Sequence, residues 1–216
     1  MFTAAQIAAL FPKASPAHRA TLTDNPGTLR AAGLLEPGHR LHVFLAQIGH
    51  ESAGLTRVVE SLRYRRPATL MTVWPRRFPT LASAMPFVGH PEALAEKVYG
   101  GRRDLGNTEP GDGARFIGRG WLQITGRANY RDLGRTLGLD LEARPERAAE
   151  PAIALALACA YWRRAGVNDA CDAGDFRAAT KRINSAALRY ADRVAWLRRA
   201  QAAVPWPIGG APPLRV

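Results

Sequence analysis

The run PAIALALACAYW, residues 151–162, is the feature that most limits how this chain can fold. It opens on a proline after Glu150, stops at Gly166, and is apolar almost all round. Proline inside the start and glycine past the end punctuate a helix. A helix without a polar face has to be buried on most sides, so this one is expected to be the hub around which other helices pack.

Those other helices are legible. Residues 3–11 read as a helix ended by Pro12, and residues 16–32 as a second helical segment broken at Asn25-Pro26-Gly27. Pro67 suits the first position of a short helix over 67–71. Leu94, Ala95 and Val98 mark a helix over 91–99, ended by Gly100-Gly101. Asp175 or Gly174 caps a helix over 176–183, and 192–204 is the last helix, followed by a tail over 205–216 with four prolines and no packing pattern. The loop Trp74-Pro75-Arg76-Arg77-Phe78-Pro79 suits a groove, with Trp74 and Phe78 either stacking on sugar rings or capping the core. A single stretch reads as extended: residues 118–125, GRGWLQIT, are too rich in glycine for a helix and alternate apolar with polar residues near their end. No Gly-Lys-Ser follows, so it is not a phosphate loop. Thr125 then reads as the N-cap of a helix through Asn129, Tyr130, Leu133 and Leu137, stopped by Gly138. The chain is thus mainly α with one small β element, forming a single domain over 1–204.

The chemistry concentrates in residues 40–64, RLHVFLAQIGHESAGLTRVVESLRY. Leu41, Phe44, Leu45 and Ile48 give a helix one apolar face, and Glu51 falls at the border of that face. With Gly54 as the C′ stop, Glu51 sits in the last turn, where the negative helix end and the apolar wall both disfavour a charged carboxylate. A carboxylic acid that keeps its proton near neutral pH is what a general acid requires. Glu60 follows past a turn that can fold back. Read alone, the two are equally compatible with ion pairs, Glu51 to Arg57 and Glu60 to Arg57, Arg63 or Arg65.

Charge narrows the partners. The 216 residues carry a net charge of +12, and all but three of the 30 basic residues (Lys13, Lys97 and Lys181) are arginine. A GC-rich coding sequence would explain the preference for arginine, not the excess of cations. Such a surface is drawn to polyanions: nucleic acid, anionic lipid, or bacterial wall and outer-membrane polymers. Scarce lysine and the lack of a recognition-helix or RNA-binding motif argue against nucleic acid. The N-terminal stretch lacks the basic and long apolar regions of a secretory signal, and no run approaches the ~18 apolar residues of a membrane span. Cys159 and Cys171, twelve apart, read as reduced thiols, and no His or Cys spacing suggests zinc or another metal.

Three segments together resemble glycoside hydrolase family 19, most of all its bacterial and phage endolysins and related chitinases. The first is His50-Glu51-Ser52 followed by Val59-Glu60-Ser61-Leu62-x-Tyr64. The second is Gly118-Arg119-Gly120 leading to Gln123, Thr125, Asn129 and Tyr130. The third is Ile183-Asn184, where the family usually continues Gly-Gly and this chain has Ser185-Ala186, side chains that would narrow a groove. The resemblance implies a bilobed, lysozyme-like fold with a small sheet beside a cleft. It implies Glu51 as general acid, Glu60 as the base that activates water with inversion, and Thr125 orienting that water. It implies His50, Tyr64, Gln123, Asn129, Tyr130 and Asn184 as sugar contacts, with no cofactor. Peptidoglycan is the favoured substrate and chitin the alternative, because the chain is short, very basic, and shows neither a chitin-binding module nor a leader. The same reasoning gives a monomer made in the cytoplasm, released through a holin-like pore and drawn to the anionic wall. A silent polysaccharide-binding relative is the other class, against which both glutamates speak.

Overall fold

Helices joined by tight turns account for most of the computed structural model, which describes residues 2–216. In chain order they are α1 (Ala4–Leu10), α2 (Pro16–Asp24), α3 (Pro26–Ala31), α4 (Arg40–Glu51), α5 (Pro67–Val73), α6 (Leu81–Ala84), α7 (Pro91–Tyr99), α8 (Asp112–Arg115), α9 (Arg127–Leu137), α10 (Pro151–Arg164), α11 (Val167–Asp172), α12 (Phe176–Ile183) and α13 (Tyr190–Ala203). Proline opens α2, α3, α5, α7 and α10, where its missing N–H has no intrahelical partner to lose. Thr3, Ser15 and Asp175 cap α1, α2 and α12 through their side chains. The chain divides into two compact units: residues up to Val58, Gly120–Gln123 and Arg147–Val216 form the first, and Val59–Arg119 with Ile124–Glu146 the second.

In the first unit the hub is α4, not α10. Every residue from Leu41 to Gly49 is buried, whereas α10 buries only Ile153, Ala154, Leu155, Leu157, Ala158, Cys159 and Trp162. Ala152, Ala156 and Ala160 count as apolar letters of α10 but offer little area to bury, and they fall on the face that is not fully buried. The two buried polar residues of α4 each have a partner: His42 Nε2 lies 2.7 Å from Val204 O, and Gln47 Nε2 donates to Thr180 Oγ1 at 2.9 Å. Phe44 meets Trp162 edge-on at 5.3 Å. Gly49 is required by α13, since a Cβ there would stand 2.7 Å from the Trp196 ring.

The proline-rich tail is strapped to this unit rather than loose. Phe176 N–H donates to Arg215 O, Arg215 N–H to Gly174 O, and Gly38 N–H to Pro207 O. Trp206 Nε1 adds a bond to Glu36 O at 3.2 Å. Cys159 and Cys171 are buried free thiols, and burial pushes the Cys159 thiol up to about 12.

The second unit is built on Leu62, Leu70, Phe78, Ala84, Leu94, Ala95 and Val98, with Tyr64, Trp74 and Tyr99 packed against them. Phe78 is therefore a core residue, and Trp74 lies half-buried between Tyr64 (5.6 Å) and Phe78 (6.4 Å). A buried carboxylate organises its glycine-rich loop. Asp112 accepts from the N–H groups of Thr108 and Glu109 and pairs with Arg127, which also reaches Glu142 at 2.9 Å. Asn107, fully buried, donates to Tyr99 O and accepts from Arg127 N–H, so the loop fixes the end of α7 against the start of α9.

The expected strand over 118–125 is a turn. Arg119 and Ile124 exchange backbone hydrogen bonds of 3.1 and 2.8 Å around it, and Arg119 also forms an antiparallel bridge with Val59. Left-handed backbone at Gly120 (φ 78°) and Gln123 (φ 51°) forbids an extended path. These bridges are the small β element.

Candidate active site

Glu51 is the last helical residue of α4, and the backbone beyond it takes an unusual path. Ala53, Gly54 and Leu55 are all left-handed, at φ 50°, 72° and 62°. Gly54 N–H reaches back to Gly49 O at 2.7 Å and Ala53 N–H to His50 O at 3.3 Å, a pairing that puts Ala53, not Gly54, at C′. Two residues with a Cβ in this conformation cost roughly 1–2 kcal/mol each. Buried Ser52 offsets the strain, its hydroxyl donating to Ile48 O (2.5 Å) and accepting from Leu55 N–H (2.8 Å).

Arg193, on α13 and only 1% exposed, occupies the place where sequence suggested an apolar wall or Arg57. Its Nη2 donates to Glu51 Oε1 at 2.5 Å, its Nη1 to Gln47 Oε1 at 2.5 Å, and its Nε to Leu188 O at 3.2 Å. The Glu51 side chain is 19% exposed, so the pair has one buried and one accessible end. Beside it, burial and the nearby Arg193 charge push His50 down to about 4, leaving a neutral imidazole at neutral pH.

Glu60 belongs to the second unit and is held without a cation. Tyr99 Oη donates to Oε1 at 2.7 Å, and Gly118 N–H donates to Oε2 at 3.2 Å. The two backbones interlock as well, Glu60 N–H donating to Gly118 O at 2.8 Å. Burial first, then the Glu60 carboxylate, holds the Tyr99 phenol far above the ordinary tyrosine range, so it remains a donor at any working pH. The arginine partners considered for Glu60 from sequence are not the groups that hold it.

The remaining predicted residues divide. Thr125 is not a cap: α9 starts at Arg127 after Gly126, and Thr125 contributes its carbonyl, which accepts from Asn129 Nδ2 at 2.8 Å. Gln123 Nε2 donates to Arg57 O (3.2 Å) and Gly120 O (2.9 Å), pinning the turn. Tyr130 is fully buried against Phe116, and its hydroxyl donates to Ile117 O and accepts from Arg119, so its role is support and not surface contact. Tyr64 is half-buried beside Trp74. Asn184 ends α12 and its Oδ1 accepts from Leu188 N–H at 3.4 Å. Ser185 and Ala186, which stand where the family usually has Gly-Gly, are both exposed, and the left-handed positions follow them at Ala187 (φ 47°) and Arg189 (φ 54°).

Sequence reasoning missed Arg193, Gln47, Thr180 and Tyr99. Gln47 did leave a signal, an amide within the buried run of α4; Arg193 left none among so many arginines. Among the described residues no group of three or more His, Cys, Asp or Glu could hold a metal, and no helix is long and apolar enough to cross a membrane.

The chain is thus mainly helical, with one carboxylate ending a buried helix and a second clamped by a phenol and a backbone N–H. Chitinase C from Streptomyces griseus shares this fold with a TM-score of 0.65 at 21% identity, over 100% of this chain and 80% of that one. A bacterial family 19 chitinase does so with a TM-score of 0.66 at 21% identity, over 97% of each chain. A glycosyl hydrolase family 19 domain-containing protein of Haemophilus influenzae is 33% identical over 142 residues, which span 66% of this chain and 68% of that protein. The chain belongs to glycoside hydrolase family 19. No protein-family model matches it.

Proposed function

We propose that this enzyme is an endolysin-type hydrolase that cuts β-1,4 glycosidic bonds of peptidoglycan with inversion. The observation that carries the reading is the unlike support of the two carboxylates. Glu51, accessible at one end and backed by Arg193, gives its proton to the leaving glycosidic oxygen, and the guanidinium stabilises the carboxylate that remains. Glu60, held by two neutral donors, keeps lone pairs with which to take a proton from the attacking water. Inversion needs carboxyl groups about 6.5–9.5 Å apart, with a water between the base and the sugar. Thr125 orients that water, while His50, Tyr64, Gln123, Asn129 and Asn184 contact sugar. The net charge of +12 supports an anionic wall as the target. It includes a stretch, residues 61–91, with five exposed arginines (Arg63, Arg65, Arg66, Arg76 and Arg77) and no acidic residue.

The second reading is chitin hydrolysis, which the chitinases among the solved structures of this fold favour. Clearing of outer-membrane-permeabilised bacteria, run beside hydrolysis of a chitin oligomer, separates the two. Proton NMR of the first-formed anomer tests the chemistry: an inverted anomer, lost in both Glu51→Gln and Glu60→Gln, is expected, and a retained one overturns the assignment. Thr125→Ala tests the water-orienting role and is expected to lose turnover, which Thr125→Ser should keep.

A further inference from the structure

We propose that the buried pair Gln47 and Thr180 sets the position of Arg193, and through it the carboxylate of Glu51, making both of them positioning residues for proton transfer. The proposal rests on the reading of Glu51 as the general acid.

Gln47 stands one helical turn before Glu51 on α4, so the two side chains leave the same face. It lies in an otherwise mostly apolar run in which every residue from Leu41 to Gly49 is buried, and both it and Thr180 are 0% exposed. Packing alone would be served by an apolar side chain of the same length. The amide fits only one way round. Its oxygen has to face the guanidinium, which only donates, and its nitrogen then faces Thr180 Oγ1 at 2.9 Å. The hydroxyl thus fixes the amide, and the amide oxygen fixes Nη1 of Arg193. Leu188 O takes Nε at 3.2 Å. A guanidinium is planar, so with Nε and Nη1 both held, Nη2 has one place left to point, and Glu51 Oε1 is there at 2.5 Å. Each bond in this series lies within the first unit: α12 and α13 both pack on α4, and Leu188 lies in the segment that leads into α13.

The experiment compares Gln47→Met, Thr180→Val, Thr180→Ser and Glu51→Gln in the full chain, measuring kcat, KM and the melting transition on permeabilised-cell peptidoglycan and on a chitin hexamer. Misplacing a reacting group by about 1 Å costs on the order of a hundredfold in rate, so Gln47→Met is expected to lose about a hundredfold in kcat with KM within about twofold. Thr180→Val, which leaves the amide in place but unfixed, is expected to lose about tenfold, and Thr180→Ser to restore it. If Gln47→Met does not fold, the valine and serine variants at 180 decide alone. Cooperative melting with wild-type kcat in Thr180→Val, or equal kcat in the valine and serine variants, overturns the proposal while Glu51→Gln stays inactive. An active Glu51→Gln instead overturns the reading of the acid, and the proposal with it.

Discussion

Glu51 meets a guanidinium that is 1% exposed, whereas Glu60 meets a phenol hydroxyl and a backbone N–H. Both arrangements stabilise a carboxylate, but by different means. A buried cation acts through charge, needs its own support from Gln47 and Leu188, and leaves an unpaired ion behind if the partner is removed. Neutral donors act through direction, each fixing one oxygen, and the loss of one leaves the other in place. The guanidinium stabilises the carboxylate left once a proton donor has given up its proton, and a group that must receive a proton from a particular water gains from being aimed. The contrast therefore makes separate demands on the two sites, and each can be tested.

The largest effect is expected at the cation. Arg193→Met keeps much of the volume but strands Gln47 Oε1 and Leu188 O and leaves Glu51 unpaired. Breaking a buried pair costs about 3–5 kcal/mol, and the lower end applies here because Glu51 is 19% exposed. Turnover should fall by about a hundredfold or more, since the carboxylate loses its anchor. Denaturant unfolding and turnover check the two halves of the expectation. Arg193→Lys, which keeps charge but cannot reach three partners, should recover part of the stability and little of the rate.

A smaller loss is expected at Tyr99→Phe. One donor to Glu60 disappears while Gly118 N–H remains, and a hydrogen bond to a charged group is worth about 1.5–3 kcal/mol. Turnover should fall by about tenfold, with stability changed less than in Arg193→Met. Equal losses in the two variants would erase the distinction between holding by charge and holding by direction.

Acid should separate the two units by their histidines. The unfolded chain protonates His50 near its ordinary 6.5, but in the folded protein burial, assisted by Arg193, pushes it down to about 4. Between those values the unfolded state holds more protons, so stability present above about pH 6.5 is lost progressively as pH falls toward 4. Burial lowers His18 and His42 in the same direction, and all three lie in the first unit. The second unit depends instead on Asp112. Burial works against its ionisation, but Arg127 and the backbone N–H groups of Glu109 and Thr108 outweigh it and hold the carboxylate below 3.8. Its contribution persists until pH falls through that lowered value. Hydrogen exchange at pH 7 and pH 5 should therefore show protection falling in α4 and holding in α9; parallel loss would break the expectation.

The same contrast separates the features that residues alone reveal from those they hide. The helices, their proline starts and the position of Glu51 in a last turn were legible because they depend on neighbours three and four apart. The centre of the first unit was misplaced on α10 because a hydrophobic alphabet counts Ala152, Ala156 and Ala160 as core, while buried His42 and Gln47 count as surface. Thr125 looked like a cap because a hydroxyl near a helix start usually is one; Gly126, at φ 91°, took the position instead. The groups that hold the carboxylates were out of reach. Arg193 is 142 residues from Glu51 and Tyr99 is 39 from Glu60, and no local pattern distinguishes this arginine from the others.

The smallest effect expected is none at all, and it applies to salt acting on the chemical step. The Glu51–Arg193 pair is 1% exposed on its cationic side, and the donors to Glu60 carry no charge. Exposed charges are screened beyond a Debye length of about 8 Å at physiological ionic strength, but a pair with a buried partner is screened much less and neutral donors carry no charge to screen. Cleavage of an uncharged oligosaccharide should stay nearly flat as salt rises to about 0.5 M. Clearing of whole envelopes should not, because the exposed arginines over residues 61–91 act at long range on anionic polymer and lose that attraction as salt rises. If oligomer cleavage falls in parallel with clearing, ions are reaching one of the carboxylates, and Arg193→Lys identifies which: a steeper salt dependence in that variant places the sensitivity at Glu51, and an unchanged one places it at Glu60. If clearing is as flat as cleavage, the excess of arginine has no part in recruitment.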